Sequence, residues 1–323
     1  MTQMSNGKDI ENRNHLSANK LPTSTTKSSS SPEGSKTFGL KLPSQHVLSD
    51  QEFNRLQKLA YNKLGIHFTK EKKILVFNRL QKHLAALGFR NFKDYITHVE
   101  RDVSGKALSD LADCLSTNHT FFWREPAHFE IFEQKVLPSI DRLLQATASK
   151  DLRVWCCAAA TGEEPYTLAM LMREYFGERY ESLEAGLLAT DISASALETA
   201  SKGRYAKYRT EKLPAHLIAK YFSPTEGDTL EVSPTLKSDI TFRRFNLKNN
   251  TYPFKKKFHI IFCRNVMIYF DDPTCQTVVN QLSNVLYPGG FLFCGMAESL
   301  NRCKTDLQYI QPSVYRKSTA LKK

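Results

Sequence analysis

The hydrophobic period of this chain changes near residue 150, and that change limits the possible folds more than any other feature. Before it, apolar residues recur at helical spacing; after it, short apolar runs alternate with amphipathic stretches. "DLRVWCCA" (151–158) reads as a buried strand and "EEPYTLAMLMREYF" (163–176) as a helix. "EAGLLATDIS" (184–193) is a second strand, and "ASALETASKG" (194–203) a helix closed by its glycine. "DITFRRFNL" (239–247) and "FHIIFCRN" (258–265) are a third and fourth strand. "PTCQTVVNQLSNVLYPGG" (273–290) reads as a helix with a Pro-Gly-Gly stop, and "GFLFCG" (290–295) as a fifth strand. Such alternation predicts a doubly wound, mostly parallel sheet, whose ligands lie beyond the C-terminal ends of its strands. The positions to weigh are therefore Thr161 to Glu164, Asp191, Asn246 and 264–269.

From 48 to about 115 the pattern is helical throughout. "LSDQEFNRLQKLAYNKLG" opens on Ser49 with Glu52 three positions on, a capping box, and Gly65 closes it. In "EKKILVFNRLQKHLAALG", Phe77, Leu80, Leu84 and Leu87 make an apolar stripe that Gly88 ends. Lys72, Arg79 and Lys82 fall on the other side, either as a solvated face or as a basic contact surface. "NFKDYITHVE" and "ALSDLADCLS" predict a third and fourth helix, giving a small bundle over 47–117. Residues 1–46, with "STTKSSSSPEGS" at the extreme, hold too little apolar surface to offset the entropy of ordering; a disordered tail is expected.

The start of the chain is polar from its first residue, so no secretory signal is expected. The most apolar stretch, "FHIIFCRNVMIYF", is broken by Arg264 and Asn265, which argues against a membrane span. Seven cysteines, odd in number and without CxxC spacing, imply reduced thiols in a cytoplasm and no zinc site. The net charge of +12 calls for an acidic partner, nucleic acid or protein.

"WCCAAATGEEPYTLAM" (155–170) places a strand, a small-residue loop and a helix where a phosphate-binding turn would stand. A phosphate loop offers glycines and often a lysine. This one carries one glycine followed by Glu163 and Glu164. Two acids at a helix start are favourable on the helix dipole alone. Beside a ligand crevice they also repel phosphate and attract cations. S-adenosylmethionine, with an adenosine body, a sulfonium and an ammonium, fits that demand. Asp191, at the end of the second strand, is placed to bond a ribose diol, a feature shared with NAD sites.

Taken in order, "LSTNHTFFWREPAHF" (115–129), "GEEPYTLAM" (162–170), "ATDIS" (189–193), "FCRNVMIYF" (262–270) and "GMAESL" (295–300) resemble the CheR-type chemotaxis receptor methyltransferases. The resemblance runs from about 48 to 317. It implies a Rossmann-like methyltransferase domain over 118–323, a small N-terminal helical domain, and a small antiparallel β-subdomain inserted at about 204–238. It implies methyl transfer from S-adenosylmethionine to glutamate side chains of chemoreceptor cytoplasmic helices, without a metal, by a cytoplasmic monomer. Matching positions make Asn118, Thr120, Arg124, Glu164, Asp191, Asn246, Leu247, Arg264 and Asn265 cofactor contacts, with Glu164 near the methionine ammonium. Arg124 and Tyr269 match the pair beside the reacting methyl. Lys72, Arg79 and Lys82 would meet the receptor helices. Ala160, Trp123 and Ala297 depart from the usual residues at their positions.

Three other readings compete. An NAD-dependent enzyme would need the GxGxxG turn that is missing here. A nucleic-acid methyltransferase fits the charge but lacks an NPPY-type tetrapeptide. A non-catalytic adaptor would have no need of the Arg124, Asp191 and Tyr269 set. An acceptor glutamate is already ionised at neutral pH, so no general base is required. His119 and His128 accordingly read as surface or packing residues.

Overall fold

A computed structural model describes residues 47–319. The expected tail, 1–46, lies outside the described residues. Helix α1 (Asp50–Leu64) starts on the predicted capping box: the Ser49 hydroxyl accepts from the Glu52 N–H at 3.2 Å, and the Glu52 carboxylate accepts from the Ser49 N–H at 2.9 Å. Gly65 ends it in the left-handed region, φ 79°. Helices α2 (Lys73–Ala86), α3 (Phe92–Arg101) and α4 (Lys106–Leu115) follow. The four share a core of their own around Leu56, Leu80, Leu84, Phe92, Tyr95 and Leu111. The stripe of α2 differs from the sequence reading. It is Val76, Leu80 and Leu84, with Phe77 half-buried and Leu87 exposed. Leu87 is already past the last helical turn, where the chain swings away at Gly88 (φ 77°).

No element is read from the sequence for 126–146, yet this stretch is helical. Helix α5 (Pro126–Ile131) runs through one π turn, Phe132–Val136, into α6 (Leu137–Ala146). Then come β1 (Asp151–Cys157), α7 (Glu163–Phe176), β2 (Glu184–Asp191) and α8 (Ala194–Lys202). The insert holds β3 (Arg204–Ala206), α9 (Ala215–Tyr221), β4 (Phe222–Pro224), β5 (Thr229–Val232) and α10 (Pro234–Ser238). Its antiparallel strands pair in the order β3-β5-β4, the small second sheet that the resemblance implies. Strands β6 (Ile240–Arg244) and β7 (Phe258–Cys263), α11 (Asp272–Val285), β8 (Leu286–Cys294), β9 (Leu307–Gln311) and β10 (Val314–Lys317) complete the fold.

The main sheet has seven strands in the order β6-β2-β1-β7-β8-β10-β9. The first five are parallel; at one edge β10 pairs antiparallel with β8, and β9 pairs antiparallel with β10. Pro288-Gly289-Gly290 does not stop a helix but lies inside β8, beside an irregularity in its pairing with β7. A Cβ on Gly290 would come within 2.7 Å of the His259 carbonyl, so the glycine permits close strand approach. One face of the sheet packs Phe132, Tyr166, Phe262 and Phe293; the other packs Trp155, Ile261, Val278 and Leu292.

Register sets up the site. Cys157 pairs with Thr190 on one side and Cys263 on the other, and Cys263 pairs with Cys294. The loops after β1, β2, β7 and β8 therefore leave the sheet at one level, on the edge where doubly wound sheets hold their ligands.

Candidate active site

A crevice of about 1140 Å³ opens at that edge. All ten candidate residues line it: Asn118, Thr120, Arg124, Glu164, Asp191, Asn246, Leu247, Arg264, Asn265 and Tyr269. The helical bundle supplies a further wall of Leu64, Ile66, Phe68, Lys72, Leu75 and Arg79, which the sequence reading does not anticipate.

The loop after β1 separates its two acids. Glu163 is fully buried and turned away from the crevice. It accepts from the Thr161 hydroxyl at 2.7 Å and pairs with Arg209 of the insert. Burial pushes its carboxyl up, against the opposing pull of Thr161 and Arg209. Arg209 also donates to the Thr120 carbonyl and the Thr161 hydroxyl, both at 3.2 Å. Glu164 lines the crevice, accepts from the Cys156 thiol at 3.2 Å and pairs with Arg264. Gly162 sits at φ 99° where a Cβ would stand 2.7 Å from the Tyr205 hydroxyl, so this turn admits only glycine.

Asp191 is buried, and its two oxygens accept from the Ala160 N–H at 2.8 Å and the Ser193 N–H at 2.9 Å. Burial raises its pKa, partly countered by those N–H groups. Each oxygen keeps a lone pair for another donor. Asn246 donates to the Lys63 carbonyl at 2.8 Å and accepts from the Lys248 N–H at 2.9 Å, which ties the loop after β6 to α1. Asn118 donates to the Ser193 hydroxyl at 3.3 Å.

Arg264 is nearly fully buried in a double clamp. It pairs with Glu164, meets Glu125 at 3.0 Å and donates to the Arg124 carbonyl at 2.6 Å. Its guanidinium thus bridges two carboxylates at the crevice wall. Glu125 also accepts from the Asn265 side chain at 3.1 Å and the Met296 N–H at 3.0 Å, and lies 3.3 Å from His128. Burial would push the Glu125 carboxyl up, but His128, Asn265 and Arg264 outweigh this and hold it well below the usual carboxylate range. Glu298 takes backbone N–H groups from Asn265, Met267, Ile268 and Gly295. Glu125 and Glu298 both fall inside motifs quoted above, yet nothing there marks what they hold.

Arg124 donates to the His119 carbonyl at 2.9 Å and sits over Phe121. The Tyr269 hydroxyl has no hydrogen bond among the described residues and lines the crevice. His128 is buried against Phe293, and His119 is exposed at the crevice. Trp123, Glu125, Ala158, Ala160 and Asn265 all take positive φ around this crevice, a concentration of backbone strain typical of functional sites. The three basic residues differ in their surroundings. Arg79 is half-buried and donates to the Leu115 and Ser116 carbonyls and the Thr117 hydroxyl, so it braces the segment entering the crevice. Lys72 belongs to a short 3₁₀ turn before α2, and Lys72 and Lys82 are exposed.

A mostly parallel sheet with an acid closing β2 and an acidic rather than glycine-rich turn after β1 fits the class of S-adenosylmethionine-dependent methyltransferases. Residues 118–316 match the CheR methyltransferase SAM binding domain, and residues 51–116 match the CheR methyltransferase all-alpha domain. The chain belongs to the CheR methyltransferase family. It is 38% identical over 84% of its length to the chemotaxis protein methyltransferase of Borreliella burgdorferi, covering 95% of that protein. It is 33% identical to that of Klebsiella aerogenes, over 83% of this chain and 90% of the relative. It is 32% identical to that of Escherichia coli, over 89% and 98% respectively. Membership separates the chain from the NAD-dependent reading. Among the described residues, no helix is long and apolar enough to cross a membrane.

Proposed function

We propose that this enzyme methylates glutamate side chains on the cytoplasmic helices of chemoreceptors, as a cytoplasmic monomer without a metal. The working parts are a helical domain over 47–117 and a methyltransferase domain over 118–323 that carries the insert at about 204–238. One observation carries the reading: Tyr269 and Arg124, a hydroxyl donor and a cation, line the same crevice as Glu164 and Asp191. Such a site suits an acceptor that is already an anion.

The residues present fit the cofactor. Asp191 keeps lone pairs for a ribose diol, Glu164 offers charge to an ammonium, and Ala158 to Ala160 leave room for the ligand body. Asn118, Thr120, Asn246, Leu247, Arg264 and Asn265 complete the surroundings. When bound, S-adenosylmethionine supplies a methyl on a positively charged sulfur. Transfer of that methyl to an acceptor carboxylate oxygen would give the methyl ester and S-adenosylhomocysteine. The protein's part is alignment and exclusion of water. The Tyr269 hydroxyl donates to one carboxylate oxygen and so aims the other; Arg124 holds the substrate or cofactor carboxylate. Lys72 and Lys82 attract the acidic acceptor helix, while Arg79 fixes the wall beneath it.

Labelled S-adenosylmethionine with receptor-bearing membranes tests this. The label should appear on receptor glutamates and leave as methanol in mild alkali, as an ester must. Alkali-stable label, or label on nucleic acid, would refute the reading.

A further inference from the structure

We infer that Glu298 is a positioning residue for methyl transfer and acts through Tyr269, an inference resting on the role of Tyr269 proposed above. Glu298 lies in the loop after β8 with 7% of its surface exposed. One carboxylate oxygen accepts from the Asn265 N–H at 2.8 Å and the Gly295 N–H at 2.6 Å. The other accepts from the Met267 N–H at 2.7 Å and the Ile268 N–H at 3.3 Å. Three of these donors belong to the turn just before Tyr269.

Convergent backbone N–H groups make a cradle for an anion. In the loop after β7 the chain's own carboxylate fills that cradle. Asn265 is held at φ 57°, a strained setting that needs such over-determination. The turn ends with the Tyr269 N–H on the Val266 carbonyl at 3.1 Å and the Tyr269 carbonyl accepting from the His67 N–H at 3.1 Å. Glu298 thus fixes the path of the backbone from Asn265 to Ile268, and through it where the Tyr269 ring starts. Gly295 fits the same design: a Cβ there would lie 2.5 Å from the Asn265 side-chain nitrogen and 2.9 Å from the Glu298 carboxylate.

The chemistry of the cradle supplies a sharp variant. Glu298→Gln keeps the shape but turns one oxygen into an NH₂ donor. Either orientation then sets that donor against two backbone N–H groups. Glu298→Asp keeps two acceptors on a shorter arm.

The test is a double-mutant cycle of Glu298→Gln with Tyr269→Phe, reading kcat, acceptor KM and S-adenosylhomocysteine affinity. Glu298→Gln should lower kcat ~10–100-fold, more than it weakens S-adenosylhomocysteine binding, since Asn265 is the one proposed cofactor contact among the donors that Glu298 holds. The double variant should fall no more than about 2-fold below Tyr269→Phe alone, because the two act as one unit. Glu298→Asp should recover part of the lost kcat. Should the Gln variant fail to fold, the Asp variant carries the same cycle, with the same non-additivity expected. Losses that multiply would overturn the inference and leave the role of Tyr269 standing, as would a kcat loss matched by lost S-adenosylhomocysteine binding. Wild-type turnover in Tyr269→Phe alone would remove that role and this inference with it.

Discussion

On the β1–β2 side of the crevice, the loops are held by one another. The Ala160 and Ser193 N–H groups fall on Asp191, and Asp191 itself ends β2 beside the loop it braces. On the β7–β8 side, the turn from Arg264 to Tyr269 is held from elsewhere. Glu125 comes from the segment before α5, and Glu298 from the loop after β8. The first arrangement can form once two neighbouring strands pair. The second requires three separated segments to arrive together, and it leaves a buried arginine dependent on its carboxylates. The bracing of Asp191 on the β1–β2 side is thus local in construction, and that of the turn on the β7–β8 side is long-range.

Removing the charge at the centre of the long-range side should have the largest effect. Arg264→Met leaves Glu125 and Glu164 facing each other without their shared cation. Breaking a buried pair by deleting one partner costs ~3–5 kcal/mol, so urea unfolding should shift by an amount of that order. A loss under about 1 kcal/mol would mean that this side is not held by its charges. Asp191→Ala probes the local side. Losing bonds to a charged acceptor costs ~1.5–3 kcal/mol each, so S-adenosylhomocysteine affinity should fall ~10-fold or more in calorimetry. Acceptor KM should hold; unchanged cofactor-product affinity would remove Asp191 from the ribose. The smallest effect is expected at the rim. Charge reversal of Lys72 and Lys82 to Glu should raise the acceptor KM ~3–10-fold and flatten its salt dependence, with S-adenosylhomocysteine binding unchanged. An unaltered KM would make these lysines an ordinary solvated face.

What could be read from the sequence follows the same division. The Ser49–Glu52 cap, the strand ending at Asp191 and the glycine turn before Glu163 are contained in short windows, and each appears in the structure where the pattern puts it. The helical run 126–146 is hidden because its π turn breaks the 3.6-residue period and two prolines punctuate it. Strand β8 begins earlier than its pattern suggests because Pro-Gly-Gly, ordinarily a stop, here sits within the strand. The ten candidate residues converge on one crevice because each follows a strand or lies in the segment leading to it. Glu125 and Glu298 were not legible as partners of the Arg264 turn, since topology, not spacing, brings positions 125, 264 and 298 together.

Arg209 gives the insert a hold on the crevice. Its guanidinium joins Glu163 at the head of α7, the Thr161 hydroxyl and the Thr120 carbonyl, so one side chain of the insert touches both the turn after β1 and the segment before α5. Glu163 is buried, and loss of that cation would leave its charge without a counter-ion. Loosening Arg209 would therefore disturb the turn between β1 and α7, next to Glu164 of the crevice. The ion pair thus fastens the insert to the turn that carries Glu164 into the crevice.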